Sequence, residues 1–426
     1  MTYNSQFREF IFESYQYNPQ NGEALFNYSF DGQVSFTERV RFSPQTGYNV
    51  EALDRALQFS FLLAGVSYYK AFPTKKVQTK NIRLSSRQAT FFSDVYKHGL
   101  SQYVFENKLE PSDIAEFEAS EEDSVAAVEY AGEGTVVLQS GGKDSLLLAT
   151  LLNKKGIDFS PWYISQNLHT PSVLDTLGHE LVHPIRYVDT EALSKATGQG
   201  ALGGHIPITF VVLSYALIDA ILRNKDMVLA AIGHEGEEPH AYIGDYPVTH
   251  QWSKTWPAEQ AFQSYVSEYI ATIHVGSPLR GFSELNIAKL FVENAWQKYG
   301  HQFSSCNVAN YKLGQDNSEL HWCGHCPKCA NSFLLFAAFV DPLELTELFG
   351  GNLFENESLL QDFKGLLGID NVMKPFECVG EVDELRKAYE LALLRGYRPL
   401  PFDVPSSSFD LDIRYPSQAW ATEMIQ

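Results

Sequence analysis

The chain has 426 residues, a formal net charge of −20, 44% hydrophobic residues and 20% charged residues. This composition is ordinary for a globular protein, and the chain is long enough for two or three domains with separate cores. A surface this acidic repels nucleic-acid backbone unless basic residues cluster, and the sequence has no Lys/Arg block, so we expect a small-molecule partner and no nucleic acid.

The first residues, MTYNSQFREFIFESYQ, contain neither an apolar signal core nor a small-residue cleavage site. No uninterrupted apolar run reaches the ~18 residues of a membrane span. Five cysteines, an odd number, do not suggest a disulfide framework. We therefore expect a cytoplasmic protein with no membrane partner.

The first predicted element is a β-hairpin. Residues 24–43 alternate apolar and polar side chains around an Asp31–Gly32 turn. Apolar residues at helical spacing follow over 51–72 and 86–108. We predict an N-terminal α+β domain over residues 1–112.

An acidic connector, residues 113–133 with at most one short helix, leads into a different pattern. Short buried strands are predicted at 135–139, 160–165 and 226–233, with a long apolar helix at 208–223. Strands that alternate with helices indicate an α/β fold, a parallel sheet flanked by helices, which we place at 134–350. The C-terminal extension, 351–426, has one amphipathic helix (Glu381 to Arg395) and then Pro-rich loops.

The stretch QSGGKDS, residues 139–145, lies between a predicted strand and a predicted helix. A helix start offers free N–H groups and a partial positive charge, so anions bind there. Gly141 and Gly142 would let the backbone approach the anion. Ser140 and Ser145 can add hydroxyl donors, and Ser145 also suits the helix cap.

This loop differs from the common GxxxxGK[ST] phosphate loop because Asp144 follows the lysine. An aspartate here suggests a Mg²⁺ ion that bridges phosphates. Lys143 either adds a charge or faces solvent. A Gly-Gly turn beside a helix cap, with no ligand, is the alternative.

QSGGKDS resembles the SGGxDS loop of the PP-loop ATP pyrophosphatases, which have the adenine nucleotide α-hydrolase fold. The resemblance covers roughly residues 130–345. It implies that the loop holds the β- and γ-phosphates of ATP while AMP is joined to a substrate oxygen and pyrophosphate is released. The residues assigned to the nucleotide are Ser140, Gly141, Gly142, Lys143, Asp144, Ser145 and His205. For His205, in the turn GGHIPIT, capping of the following helix is an equal alternative.

The motif CGHCPKC places Cys323, Cys326 and Cys329 at two successive CxxC spacings, and Cys306 precedes them. Four thiolates satisfy a tetrahedral zinc ion and leave no open position, so we predict a structural zinc site. If Cys306 is not a ligand, His321 or His325 is the candidate fourth. Three reduced cysteines in a turn remain the alternative. The arrangement also resembles the 7-cyano-7-deazaguanine synthases of the PP-loop superfamily.

Two segments, GHEGEEPH (233–240) and THQWSKTW (249–256), are too polar to lie in a hydrophobic core. The first of them follows a predicted strand. Ligands bind at the carboxyl ends of parallel strands. His250 and Lys254 would share a face if the second segment is helical; a surface loop over packed tryptophans is the alternative. Solvent exposure is the expectation for Glu237, Glu238 and His240 individually. The residues assigned to the substrate are His234, Glu235, Gln251 and Ser253.

The whole chain resembles the ATP-dependent UDP-N-acetylmuramoyl-L-alanyl-L-glutamate epimerases of bacterial wall synthesis. The resemblance rests on the N-terminal hairpin module, QSGGKDSLLLATLL, the GHIP turn, HQWSK, CGxCPKC and PFECVG. It implies adenylation of the terminal glutamate's α-carboxylate, inversion of the α-carbon, and hydrolysis to AMP. GHEGEEPH departs from the asparagine-rich pattern of the family, so a related peptide carboxylate is an alternative substrate.

Inversion needs two groups that flank the carbon, or one group that moves. His250, Lys254 and Cys378 are the candidates, with acid and base unassigned. For Cys378 alone, a buried apolar filler is the default interpretation. Other functions consistent with the motifs are a PP-loop ligase or amidating enzyme, a tRNA-modifying enzyme, and a nucleotide sensor without turnover.

Overall fold

The Asp31–Gly32 turn closes a β-hairpin, as predicted. In the computed structural model, which describes residues 5–120, 126–310 and 318–426, β1 (Phe10–Asn18), β2 (Glu23–Phe30) and β3 (Val34–Arg41) pair antiparallel in that order. Asp31 and Gly32 have φ angles of 49° and 69°, the conformation that tight hairpin turns require. The strand β1 was not predicted.

The other strands of the described ranges are short: β4 (Val77–Thr79), β5 (Val128–Glu129), β6 (Thr135–Leu138), β7 (Ser160–Trp162), β8 (Ile185–Tyr187), β9 (Met227–Leu229), β10 (Ala241–Ile243), β11 (Tyr246–Val248), β12 (Ile270–Ala271) and β13 (His274–Gly276). The α-helices are α1 (Val50–Ala64), α2 (Val66–Tyr69), α3 (Ser86–Gly99), α4 (Ser101–Glu106), α5 (Lys143–Lys154), α6 (Thr190–Thr197), α7 (Ile208–Leu222), α8 (Trp256–Tyr269), α9 (Glu284–Asn294), α10 (Trp296–Tyr299), α11 (Asn307–Asn310), α12 (Pro327–Ala337), α13 (Pro342–Phe349), α14 (Leu360–Leu366), α15 (Val382–Leu394) and α16 (Ala419–Glu423).

The N-terminal sheet has the order β4-β1-β2-β3-β8, so a strand from the central part of the chain completes it. Next to this junction the Arg186 guanidinium donates to Glu38 at 2.7 and 3.1 Å and to the Ser67 hydroxyl at 2.9 Å. Glu38 is fully buried. Removing one partner of such a pair typically costs about 3–5 kcal/mol, so this contact ties the N-terminal module to the rest. The domain boundary at residue 112 stays a prediction.

A parallel sheet, β13-β9-β6-β7, forms the centre of the second half. Its side chains alternate between two cores. Val136 and Val228 face the core with α1 and α7, whereas Val137 and Leu229 face the core with α5, α9 and α12. Both faces are buried, which explains why these strands are continuous apolar runs in the sequence.

The helices predicted over 51–72, 86–108, 208–223 and 381–395 are all present, the first two interrupted by short breaks. Part of the predicted connector, residues 121–125, lies outside the described residues. None of the described helices could cross a lipid bilayer. The parallel sheet matters for function because the segments after β6, β9 and β13 leave its carboxyl edge together.

Candidate active site

The segment after β6 forms a turn that only glycine can adopt. Gly141 has a φ of 77°, and a Cβ atom there would lie 2.4 Å from Leu320 Cδ1. Gly142 is the N-cap of α5 and makes no side-chain capping bond within the described structure. The free N–H groups of this helix start therefore suit an anion.

Ser145 lies inside the first turn of α5 and does not cap it, so that prediction is wrong. Its hydroxyl donates to the Gly142 carbonyl at 3.2 Å and accepts from the Ser140 N–H at 3.3 Å. These bonds fix the curvature of the loop.

Lys143 is 6% exposed, so the alternative in which it faces solvent is wrong. Its ammonium lies 2.6 Å from Asp144 and 2.7 Å from Glu284, the first residue of α9. Burial alone would lower the pKa of Lys143, but the two carboxylates raise it. The pKa of Asp144 is raised, because burial and two neighbouring glutamates outweigh the attraction of Lys143. The pKa of Glu284 is lowered, because Lys143 and Lys328 outweigh its burial.

The Asp144 and Glu284 carboxylates fit Mg²⁺ by their chemistry. Hard oxygen ligands from one or two carboxylates, completed by phosphate oxygens and water, are what this ion prefers. A single positive charge, the Lys143 ammonium, already contacts both groups. The Asp144 side chain is 29% exposed and is therefore open to a ligand.

Lys254 and Cys378, which are 124 residues apart in the sequence, meet beside this cluster. The Lys254 ammonium lies 3.7 Å from Cys378 Sγ and 3.2 Å from Glu235. Burial would lower the pKa of Lys254, but Cys378, Glu235 and the nearby carboxylates raise it overall, so this side chain is a cation at neutral pH. Cys378 contacts the Lys254 ammonium, and the default interpretation as a buried apolar filler therefore does not fit it.

Arg280 positions Lys254 by a hydrogen bond to its backbone carbonyl. Its guanidinium is fully buried and donates to the carbonyls of Gly233 at 2.6 Å and of Lys254 at 2.8 Å. The Glu259 carboxylate lies 2.8 Å from the Arg280 guanidinium and balances its positive charge. Arg280 thus joins the segments that follow β9 and β11, and nothing in the sequence identified it.

Three histidines form a cluster next to Lys254. The ring centroids of His205 and His250 are 4.3 Å apart, those of His240 and His250 are 6.2 Å apart, and Gln102 Oε1 lies 2.6 Å from His250 Nδ1. Burial, and then nearby positive charge, lowers the pKa of His205 and of His240 to about 4 and that of His250 to about 2. All three rings are therefore neutral at pH 7.

The structure corrects two expectations about histidine. His205 does not cap α7, because Pro207 is the N-cap residue; a contact between His205 and nucleotide stays a prediction. His250 precedes the 3-10 turn Trp252–Lys254, so it does not share a helical face with Lys254.

The segment GHEGEEPH is more enclosed than predicted. Glu237 accepts the Trp256 N–H at 2.6 Å, Glu238 lies 2.5 Å from the Lys374 ammonium, and both ring nitrogens of His240 are buried. Full solvent exposure, the expectation for these three residues, is wrong, because each is half-buried. Lys374 and Phe376 of the C-terminal segment contact Glu238 and His240, and the backbone of Trp256 contacts Glu237.

The remaining residues assigned to the substrate are divided among three places. Glu235 and Gln251 line a small cavity together with Cys378. Ser253 is 2% exposed and lines a different cavity, next to Arg280. His234 stacks on Tyr415, with ring centroids 3.5 Å apart and an interplanar angle of 5°.

Cys306, Cys323, Cys326 and Cys329 bring their four sulfur atoms within 4.8 Å of one another. The Cys306–Cys326, Cys323–Cys329 and Cys326–Cys329 distances are 3.7, 3.6 and 3.5 Å. Four sulfurs at about 2.3 Å from a tetrahedral zinc would lie about 3.8 Å from one another. The set could therefore hold a structural metal such as zinc, with Cys306 as the fourth ligand; His321 and His325 are exposed.

The cysteine cluster supports the glycine loop. The Ser304 N–H donates to the Gly141 carbonyl at 3.3 Å, and the Ser304 hydroxyl accepts from the Cys306 N–H at 3.1 Å. Leu320 packs on the same glycine. The four cysteines are thus linked to the glycine loop through Ser304 and Leu320.

We expect Cys329→Ser to release the metal and to lower the unfolding midpoint by about 10 °C, because metal-binding energy is also folding energy. Any ligand that the glycine loop binds should bind more weakly as well, since the loop loses its support. Elemental analysis measures the metal content, and calorimetry measures the unfolding midpoint. His325→Ala is the matched control and should retain the metal; retention of one zinc per chain by Cys329→Ser would contradict the four-cysteine site.

Comparisons with known proteins find matches to one family along nearly the whole chain. A family model described as the MurL N-terminal domain matches residues 1–275, and one described as the MurL C-terminal domain matches residues 302–398. Three relatives carry the name UDP-N-acetyl-alpha-D-muramoyl-L-alanyl-L-glutamate epimerase. The Micromonospora sp. protein is 33% identical over 89% of this chain and 86% of its own length. The Xanthomonas oryzae pv. oryzae protein is 32% identical over 92% and 87%, and the Salinispora tropica protein is 32% identical over 98% and 92%.

Proposed function

The chain belongs to the family of UDP-N-acetyl-alpha-D-muramoyl-L-alanyl-L-glutamate epimerases, and from that premise we propose that it inverts the terminal L-glutamate of UDP-MurNAc-L-Ala-L-Glu in a reaction driven by ATP cleavage to AMP and pyrophosphate. The observation that carries the proposal is the convergence of the glycine loop's carboxylate cluster with Lys254 and Cys378. The charges of Asp144 and Glu284 contribute to the raised pKa of Lys254, so the carboxylate cluster lies near this lysine.

Activation precedes proton removal for an electrostatic reason. Taking a proton from the carbon next to a free carboxylate would create a second negative charge beside the first. We propose that a carboxylate oxygen attacks the α-phosphorus of ATP, that the bond to pyrophosphate breaks, and that the resulting acyl adenylate is neutral at its carbonyl. That carbonyl then accepts the electron pair of the Cα–H bond.

The glycine loop is proposed to bind the outer phosphates through the free N–H groups at the start of α5. Asp144 and Glu284 would hold Mg²⁺, which neutralises phosphate charge when bound. Lys143 would then donate to phosphate oxygens in place of one carboxylate. This arrangement is the one expected for a PP-loop enzyme.

Lys254 and Cys378 act on one face of the α-carbon. Two groups on opposite faces of a carbon, each about 3–3.5 Å away from it, must be about 6–7 Å apart, whereas Nζ and Sγ are 3.7 Å apart. We assign Cys378 as the base, because the Lys254 ammonium lies 3.7 Å from its sulfur atom. A proton must be returned to the α-carbon on the opposite face, and the neutral His250 imidazole would serve there only as a relay for a proton that water supplies.

Water finally attacks the carbonyl of the inverted adenylate and releases AMP and the D-glutamyl product. Incubation of the protein with UDP-MurNAc-L-Ala-L-Glu and ATP should therefore give AMP, pyrophosphate and D-glutamate after acid hydrolysis. Formation of ADP, an amide product, or L-glutamate after full ATP consumption would each contradict the proposal.

A further inference from the structure

The segment that carries Cys378 has no regular secondary structure. It lies between α14 and α15, and residues 372–380 form neither a helix nor a strand. The side chain of Val379, which is 7% exposed, packs in the same core as α12 and anchors the segment. The position of the Cys378 backbone also depends on side chains of other elements that bond to it.

Two residues of α12 make such bonds. The Lys328 ammonium donates to the Cys378 carbonyl, and the Gly380 N–H donates to Asn331 Oδ1 at 3.1 Å. Lys328 and Asn331 are three residues apart, so they lie on one face of the helix. Together they hold the backbone on both sides of Val379.

The helix α12 is a firm support for these two side chains. Cys326 is its N-cap residue, Cys329 lies in its first turn, and every residue from Cys329 to Ala337 is buried. Asn331 is only 1% exposed. Because protein interiors are close-packed, a helix this buried has little freedom to shift. It can therefore fix a neighbouring segment that has no hydrogen-bond ladder of its own.

The Lys328 ammonium also lies near other groups of the site. Its charge contributes to the lowered pKa of Glu284 and to the low pKa of His250, and such an effect requires a charge close to both groups. The Lys328 side chain is half-buried. One side chain thus relates the position of Cys378 to the carboxylates beside the glycine loop.

We propose that Lys328 and Asn331 are positioning residues, which hold the backbone around Cys378 so that its thiol stays beside Lys254 and faces the α-carbon of the substrate. This inference rests on the proposed function, in which Cys378 is the base. A displacement of about 1 Å at a reacting group can cost about 10²-fold in rate. The lysine between two candidate metal ligands therefore has a role in the reaction that is separate from metal binding.

The kinetic test compares Lys328→Met and Asn331→Leu with the wild type. Each variant should lower kcat for the D-glutamyl product by about 10- to 100-fold and leave KM within a few-fold, because a misplaced base slows proton removal without weakening binding. ATP–pyrophosphate exchange should stay within a few-fold of the wild-type rate. Lys328→Arg keeps a donor for the Cys378 carbonyl and should restore most of kcat. A parallel fall in exchange and epimerisation, or no recovery in Lys328→Arg, would indicate a general structural role and overturn the assignment.

Backbone deuterium exchange without substrate, measured by mass spectrometry, separates this inference from the proposed function. The peptide that spans residues 376–381 should exchange several-fold faster in Lys328→Met and Asn331→Leu than in the wild type. Lys298→Met is the matched control, because Lys298 also donates to the backbone carbonyl of a distant residue, Thr176, at 2.6 Å; it should change neither this exchange nor kcat. Unchanged exchange in both folded variants would overturn the positioning role. Faster exchange in a protein that forms no AMP would support the positioning role and contradict the proposed function alone.

Discussion

Cys378→Ala is expected to abolish epimerisation while leaving ATP–pyrophosphate exchange within a few-fold of the wild-type rate. Cys378, next to Lys254, is the proposed base, and loss of a general base typically costs about 10²- to 10⁴-fold in rate. The glycine loop lies on another segment, so the proposed adenylation should continue. Exchange of labelled pyrophosphate into ATP measures the first step, and chiral analysis of the glutamate measures the second.

Met373→Ala is a suitable control, because Met373 is 49% exposed on the segment that leads to Cys378 and should affect neither step. Cys378→Ser should resemble Cys378→Ala, since a hydroxyl is a far weaker acid than a thiol. Wild-type epimerisation by Cys378→Ala would remove this residue from the mechanism.

Asp144→Asn is the second substitution with a large expected effect, and here the earlier step should fail. The amide keeps the size of the side chain but loses the charge that would hold Mg²⁺ beside the phosphates, and we expect pyrophosphate exchange to fall by about 10²- to 10³-fold. Glu284→Gln should act in the same direction. Binding of the peptide substrate without ATP should persist, because the peptide lies at Lys254 and Cys378 in the proposed arrangement.

Glu191→Gln provides the control for a lost carboxylate. Glu191 also pairs with a lysine, Lys195 at 2.6 Å, but its side chain is 81% exposed, and the substitution should leave exchange unchanged. Full exchange activity in Asp144→Asn would mean that the loop does not hold the nucleotide through this carboxylate.

Local patterns were sufficient to predict the features that depend on neighbouring residues. The hairpin at residues 24–43 follows from alternation and an Asp-Gly turn, and the cysteine cluster follows from two CxxC spacings. In contrast, β8 and β13 have three residues each, too few to show a period. The partner strand of β8, β3, lies almost 150 residues earlier.

The same limit applies to the site. The glycine loop and the segments HQWSK and PFECVG mark it in the sequence, but burial and pairing at a distance do not appear there. Lys143 meets Glu284, 141 residues away, and Lys374 meets Glu238, 136 residues away. A serine N-cap before Glu284 predicts a helix start but not a carboxylate beside the loop.

The measurement that tests the central claim most directly is the incorporation of solvent deuterium at the glutamyl α-carbon. Mass spectrometry of UDP-MurNAc-L-Ala-L-Glu incubated in D₂O would compare ATP with an analogue that has a methylene group between the α- and β-phosphorus atoms. The account predicts deuterium at this carbon with ATP and none with the analogue, because the proton leaves only after the carboxylate has been adenylated. Equal exchange with the analogue, or exchange without any nucleotide, would contradict it.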